Sequence, residues 1–373
     1  MRKKAFIFCS FIAILLQGYA QPVSFEEAEQ AAQHFFGKVH KSMQTCASVS
    51  VEGQDTLFYI FNADKGFVVV SGEKKAIPIL AYSTENNYNA ENIIPPVQMW
   101  MNYYQRQLTE LRQDETSQQS VSVANSWKEL ATPFKQHKNT TGSSATPLLL
   151  TSRWGQGKLY NYYCPKDEKG LNSNKRAVTG CVATAMAQLM YYFRFPQSGT
   201  GSYSYTHKVY GELAADFENA RYDYSSMPDR PTNINPDISL LMYHCGVAVD
   251  MEYGPDASGM YNHKAADVLK RHFKFSQQTQ YVYRDKTTLD WDSLIVTHID
   301  NRIPLYYAGW SVPDTNGHAF ICDAYQIDTN GNHYYHFNFG WDGSSDGYFY
   351  TDSLSPGGNN FNLAQELIIN AYP

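Results

Sequence analysis

Between about residues 112 and 146 the chain passes through DETSQQSVSVAN and KQHKNTTGSSATP, which are dominated by Ser, Thr, Gln, Asn and Lys. Such side chains bury little apolar surface, so this stretch predicts an exposed linker, and the 373-residue chain divides there. The expected units are residues 21–142, with the linker at their end, and residues 143–373. Ahead of the linker, Ser24-Phe25-Glu26-Glu27 is a capping box that starts a helix toward His40. TLFYIFNA, GFVVVSG and PILAYS alternate as strands, and Pro95–Gln113 returns to helical spacing. After it, helices are expected over Val178–Tyr192, Ile238–Met251 and Asn262–Phe273. IPLYYAGW, HAFICDAYQI, HYYHFNFGWD and GYFYTDSL then read as strands. Helices followed by antiparallel strands predict an α+β domain of two halves around a cleft.

Residues 1–20 stand outside this plan. Met1-Arg2-Lys3-Lys4 is basic, Ala5–Leu16 is apolar, and Gly18-Tyr19-Ala20 supplies small residues for a cut before Gln21. That is the form of a secretory signal peptide, too short to span a membrane. Export, to a periplasm or beyond, places the remaining cysteines in an oxidising space. They are Cys46, Cys164, Cys181, Cys245 and Cys322, an odd set that leaves at least one free thiol. A Cys46–Cys164 pair would tie the two units together. A net charge of −6 and no long basic run argue against nucleic acid. No C-x-x-C occurs, and His333 and His336 fall on opposite faces of a strand, so no metal or cofactor is expected.

The chemistry centres on RAVTGCVATAMAQLMYYFRFP. Cys181 opens a helix there, where free N–H groups and the helix dipole favour a thiolate. Gly180 would admit a substrate backbone. Taken alone, Cys181 reads more readily as a small buried hydrophobe than as a nucleophile. His318, in NGHAFICDAY, follows a turn and begins a strand, which presents an imidazole to a cleft as readily as it half-buries one. Asn338, in YHFNFGWDG, could accept the His318 ring N–H, with Phe339 and Trp341 shielding that bond. His318 and Asn338 follow Cys181 by 137 and 157 residues. This is the order and scale of papain-like enzymes, where the interval is roughly 130–150 residues. Gln156, between Gly155 and Gly157, offers a side-chain amide that could join the Cys181 N–H in holding an oxyanion.

TGCVATAMAQLMYY, VDMEYGP, GHAFICDAY and FNFGWDG with SDGYF resemble the streptopain family of secreted cysteine peptidases, which includes interpain-type enzymes. The resemblance covers nearly all of the chain after the signal peptide. It implies a papain-like fold behind a small α+β inhibitory propeptide. It implies Cys181 as nucleophile, His318 as general base and acid, Gln156 as oxyanion donor, and Asn338 and Trp341 as members of the N-x-G-W motif. Phe339 stands where that motif has a Trp, and so lacks its N–H. The resemblance further implies that Asn92, in AENIIPP, blocks the cleft of the precursor. It makes Ser258, Gly259 and Gly317 substrate contacts, with an apolar P2 side chain preferred.

The implied partners are protein and peptide substrates and the chain's own propeptide, acting on a monomer. Activation cuts are expected in the polar linker, because exposed polar tips are readily nicked. Two other classes stay open: a different Cys-His acyl-transfer enzyme, such as an amidase or a transglutaminase-like protein, and an inactive relative serving as a binding module. His244, Cys245 and Cys322 are expected in the core, and Asp323 has no catalytic part.

Overall fold

The computed structural model describes residues 21–37, 44–53, 55–131, 144–170, 172–310, 317–352, 354 and 365–373. The expected signal peptide, and with it Cys9 and the cleavage site, lies outside these residues, as does the linker between 132 and 143.

The first unit opens with α1 (Phe25–Phe36), capped as its sequence requires. The Ser24 side chain accepts from the Glu27 N–H, and the Glu27 carboxylate accepts from the Ser24 N–H. Four strands follow: β1 (Gln44–Ser50), β2 (Thr56–Asn62), β3 (Phe67–Ser71) and β4 (Ile79–Ser83). α2 (Pro95–Gln113) starts at a proline, whose missing N–H costs nothing at that position.

The polar stretch beyond α2 departs from expectation. Residues 121–131 form α3 (Val121–Ala131), which packs against α1 and buries Val123. The Trp127 indole donates to the Ala76 carbonyl at 2.9 Å. Val123, Trp127 and Leu130 recur at helical spacing within the polar composition, so one face of this segment is bound rather than free. β5 (Ser144–Ala145) is already paired with the second unit.

The helical half of the second unit holds α4 (Cys181–Phe193), the hairpin β6 (Ser202–His207) with β7 (Gly211–Asp216), α5 (Pro236–Ala248) and α6 (His263–Arg271). The other half holds β8 (Gln280–Tyr283), α7 (Trp291–Asp300), β9 (Leu305–Trp310), β10 (Gly317–Ile327), β11 (His333–Asn338), β12 (Gly347–Tyr350) and β13 (Gln365–Ile369). α4 lies against α5 on one side and β9–β10 on the other, so the start of α4 sits where the halves meet.

The two units share one sheet. Its order is β1-β2-β3-β4-β12-β11-β10-β9-β13-β8, antiparallel throughout. The seam is the β4–β12 pair, with Tyr82 opposite Tyr348 and Ala81 opposite Phe349. Tyr82 stacks on Tyr348 at 5.0 Å, and the Tyr104 hydroxyl of α2 reaches both the Leu80 carbonyl at 2.8 Å and the Tyr350 carbonyl at 2.9 Å. Trp100 of α2 lies parallel to Phe337 at 5.7 Å. Each such aromatic pair is worth about 0.5–1.5 kcal/mol beyond its buried area. Among the described residues no helix is long and apolar enough to cross a membrane, and no cluster of ligands suits a metal ion.

Candidate active site

Gly180 fixes how the chain enters α4. It adopts φ 88° and ψ 148°, a region open to glycine almost alone. A Cβ there would stand 2.8 Å from the Ser258 carbonyl oxygen and 3.0 Å from the Met251 side chain. Cys181 is therefore the first helical residue, half-buried, with the Ala319 backbone N–H directed at its sulfur. Burial pushes its thiol above the ordinary range, against the backbone donors that favour the anion. The expected lowering by the helix start is thus outweighed here: desolvating a thiolate costs more than these N–H groups return.

His318 is the second residue of β10 and faces Gly309 across the ladder. Opposed residues of an antiparallel pair project to the same side of the sheet. On that side a Cβ at Gly309 would lie 2.8 Å from Met99 of α2, so the His318 ring emerges beside the first unit. Trp341 approaches it edge-on at 6.0 Å. Burial lowers its pKa to about 4. The thiol and the imidazole share no hydrogen bond, and burial disfavours the charged form of each.

Asn338 does not make the expected contact with His318. It is fully buried at the end of β11, its amide donates to the Ser152 carbonyl at 2.7 Å, and its oxygen accepts from Gln188 at 3.0 Å and from the Gly340 N–H at 3.2 Å. These bonds hold it to α4 and to the segment 152–154 instead.

Gln156 is tied by its backbone to the segment that leads into Cys181. Its carbonyl accepts the Thr179 N–H at 3.1 Å, two residues before Cys181. Its Nε2 is buried with no hydrogen-bond partner. A Cβ at Gly155 would meet the Asp342 carboxylate at 2.5 Å, and the Asp342 N–H donates to the Trp154 carbonyl at 3.2 Å, so the turn after Trp341 also closes on this segment. A buried amide left unpaired costs on the order of 1–3 kcal/mol, and such groups call for a partner.

The expected subsite residues divide. The Ser258 hydroxyl is buried, donating to the Val178 carbonyl at 2.7 Å and accepting from the Gly254 N–H at 3.1 Å. It braces the loop beside Cys181 and has no hydrogen left to donate to a substrate. Gly259 borders open space at its Cα, while its backbone pairs with Glu252. Gly317 lies against the Trp310 ring, 2.8 Å from where a Cβ would stand. Asn92 is exposed in a turn before α2, its N–H donating to the Asn89 carbonyl at 3.3 Å. Met99 and Trp100, one helical turn or more further on, cover the sheet beside His318.

All five described cysteines are free, and no Cys46–Cys164 bond forms. Cys245 and Cys322 are fully buried and His244 is nearly so, as expected. Sequence reasoning passed over Gln188 and Glu85. Gln188 was legible only as a polar residue in an otherwise apolar helix face, and Glu85 carried no local signal.

A cysteine that opens a helix where the helical half meets the sheet of an α+β fold marks a cysteine peptidase of papain-like architecture. The profile of the Peptidase C10 family matches residues 154–349 and that of the Spi protease inhibitor matches residues 20–108, so the chain belongs to the Peptidase C10 family and carries its inhibitor-type propeptide. Streptopain from Streptococcus pyogenes is 31% identical over 84% of this chain and 80% of its own length. The thiol protease/hemagglutinin PrtT of Porphyromonas gingivalis is 27% identical over 95% of this chain, which spans only 42% of PrtT. A prointerpain A fragment from Prevotella intermedia superimposes with a TM-score of 0.68 at 29% identity, covering 89% of this chain and 99% of that one. Active interpain A gives 0.53 at 34% identity over 61% of this chain and 96% of its own.

Proposed function

We propose that the chain is an exported cysteine endopeptidase, made as a self-inhibited precursor, in which Cys181 is the nucleophile and His318 the general base and acid. In the released enzyme the imidazole takes the Cys181 proton, and the thiolate attacks the scissile carbonyl. Gln156 Nε2 and the Cys181 backbone N–H hold the oxyanion. The imidazolium then protonates the leaving amine, and a water activated by the same imidazole hydrolyses the thioester. Asn338 supports the turn that carries Trp341, which shields the ring. Apolar P2 side chains enter beside Gly259 and Gly317.

The observation that carries this reading is the unpaired Gln156 amide, fixed through Thr179 to the start of the Cys181 helix. The thiol and imidazole, which share no hydrogen bond and whose charged forms burial disfavours, support a latent precursor in which the first unit is the lock. The amino-terminal residues 1–20 support export.

The test is incubation of purified precursor and its Cys181→Ala variant under reducing conditions, read by intact mass and N-terminal sequencing. Wild type alone should trim itself between 112 and 146 and then cleave casein, and a thiol-directed epoxide should stop both. Trimming by pure Cys181→Ala protein would refute the assignment.

A further inference from the structure

Three buried side chains behind the reacting groups close a ring of hydrogen bonds. Gln188 lies two helical turns beyond Cys181 on α4. Its oxygen accepts from the Ser152 hydroxyl at 2.9 Å and from the Trp154 N–H at 3.4 Å, and its amide donates to Asn338 Oδ1 at 3.0 Å. Asn338 in turn donates to the Ser152 carbonyl at 2.7 Å. All three residues are fully buried. The polarity of the ring permits one orientation of Gln188. Turned over, its amide would oppose the Trp154 N–H and its oxygen would oppose the Asn338 oxygen.

Each member stands on a different piece of the site. Gln188 shares a rigid helix with Cys181, Ser152 and Trp154 lead directly into Gln156, and Asn338 leads into Trp341. We propose that Gln188 is a positioning residue that sets the Gln156 amide against the Cys181 thiol, an inference that rests on Gln156 being the oxyanion donor. It touches no substrate and no reacting atom. It locks the 152–157 segment to α4 through the Trp154 N–H two residues before Gln156, and it draws the Asn338 turn into the same lock. An amide displaced by about 1 Å from the developing oxyanion costs up to roughly a hundredfold in rate.

The experiment compares kcat and KM of full-length chains after conversion, with the active thiol counted by epoxide labelling. Gln188→Met should lower kcat about 10–100-fold with KM within about twofold and labelling complete. In a Gln156→Ala background the same change should add less than about threefold, because the group it positions is gone. Gln188→Glu gives an independent readout and serves if Gln188→Met fails to fold. Its protonated acid can still donate to Asn338 and accept from Ser152, so activity should be retained at low pH and lost as the buried carboxyl ionises. A Gln188→Met enzyme with wild-type kcat and only a lowered unfolding temperature would overturn the inference. So would a full multiplicative loss in the Gln156→Ala background, or a Gln188→Glu profile that follows wild type at every pH. Wild-type kcat in Gln156→Ala alone would instead remove the oxyanion reading, and this inference with it.

Discussion

Arg153 donates through Nη2 to the Glu85 carboxylate at 2.8 Å, joining the segment ahead of Gln156 to the first unit across the β4–β12 seam. Only 6% of the Arg153 side chain and 25% of that of Glu85 are exposed. Burial works against the guanidinium charge, but Asp346, 3.5 Å from Nε, and Glu85 more than compensate. Glu85→Ala should leave Arg153 short of one acceptor, weakening the union by about 1.5–3 kcal/mol, or roughly 10–100-fold in the closed-to-open ratio. The precursor should trim itself correspondingly faster, while the exposed Glu91→Ala should match wild type. Equal trimming rates in all three would show that the pair does not hold the lock.

Gln156→Ala should lower kcat about 10²–10³-fold, the usual effect of losing one oxyanion donor. KM should change little, because the interaction is made in the transition state. Steady-state kinetics on a peptide substrate decide it, and a loss confined to KM would contradict the role.

His318 makes the precursor sensitive to acid. An unfolded histidine titrates near 6.5, whereas burial lowers His318 to about 4. Between those values the unfolded chain binds a proton that the folded one refuses, so stability falls as pH falls, by no more than about 3 kcal/mol in full. His244 shifts the same way, and Asp346, raised to about 6 by burial, shifts oppositely. The contribution of His318 is therefore the difference between variants. His318→Phe precursor should lose less of its unfolding temperature than wild type between pH 7 and pH 4.5, measured by calorimetry. Parallel curves would mean that the ring is not desolvated.

Gly180→Ala should be more damaging than its size suggests. The backbone conformation and the 2.8 Å approach to the Ser258 oxygen both oppose a methyl group. A loss of about 1–3 kcal/mol in stability is expected from the backbone alone. Cys181 should also move off the helix start, abolishing proteolysis even at temperatures where the variant remains folded by circular dichroism.

Local signals carried much of the architecture. The Ser24–Glu27 box, the proline at the start of α2 and the glycine before Cys181 each act within a turn of chain, and each element begins there. α3 was hidden because its apolar residues are few and widely spaced in a polar context, and only packing against the rest of the first unit makes them a face. The Cys181, His318, Gln156 and Asn338 motifs were recognisable one by one, but their arrangement was not. Whether Asn338 meets His318 or Gln188 depends on the register of β10 with β11 and on the depth of α4, which are settled by packing between distant segments. The upward shift of the Cys181 thiol likewise follows from burial, which no short motif encodes. Glu85 is the clearest example: its partner Arg153 is 68 residues away, and nothing in either neighbourhood announces the other.

The β4–β12 pairing has a consequence for the order of events. A cut anywhere between residues 131 and 144 severs the covalent tether and breaks none of the ladder bonds between these strands, nor the Tyr104 bridge across them. A nicked molecule is therefore still a complex, and its departure from the locked state is a dissociation with its own rate. Once parted, β4 and β12 each become a bare rim with unpaired N–H and C=O groups. The cleaved fragment then acts as a removable edge strand, able to return to the same rim until it is itself destroyed.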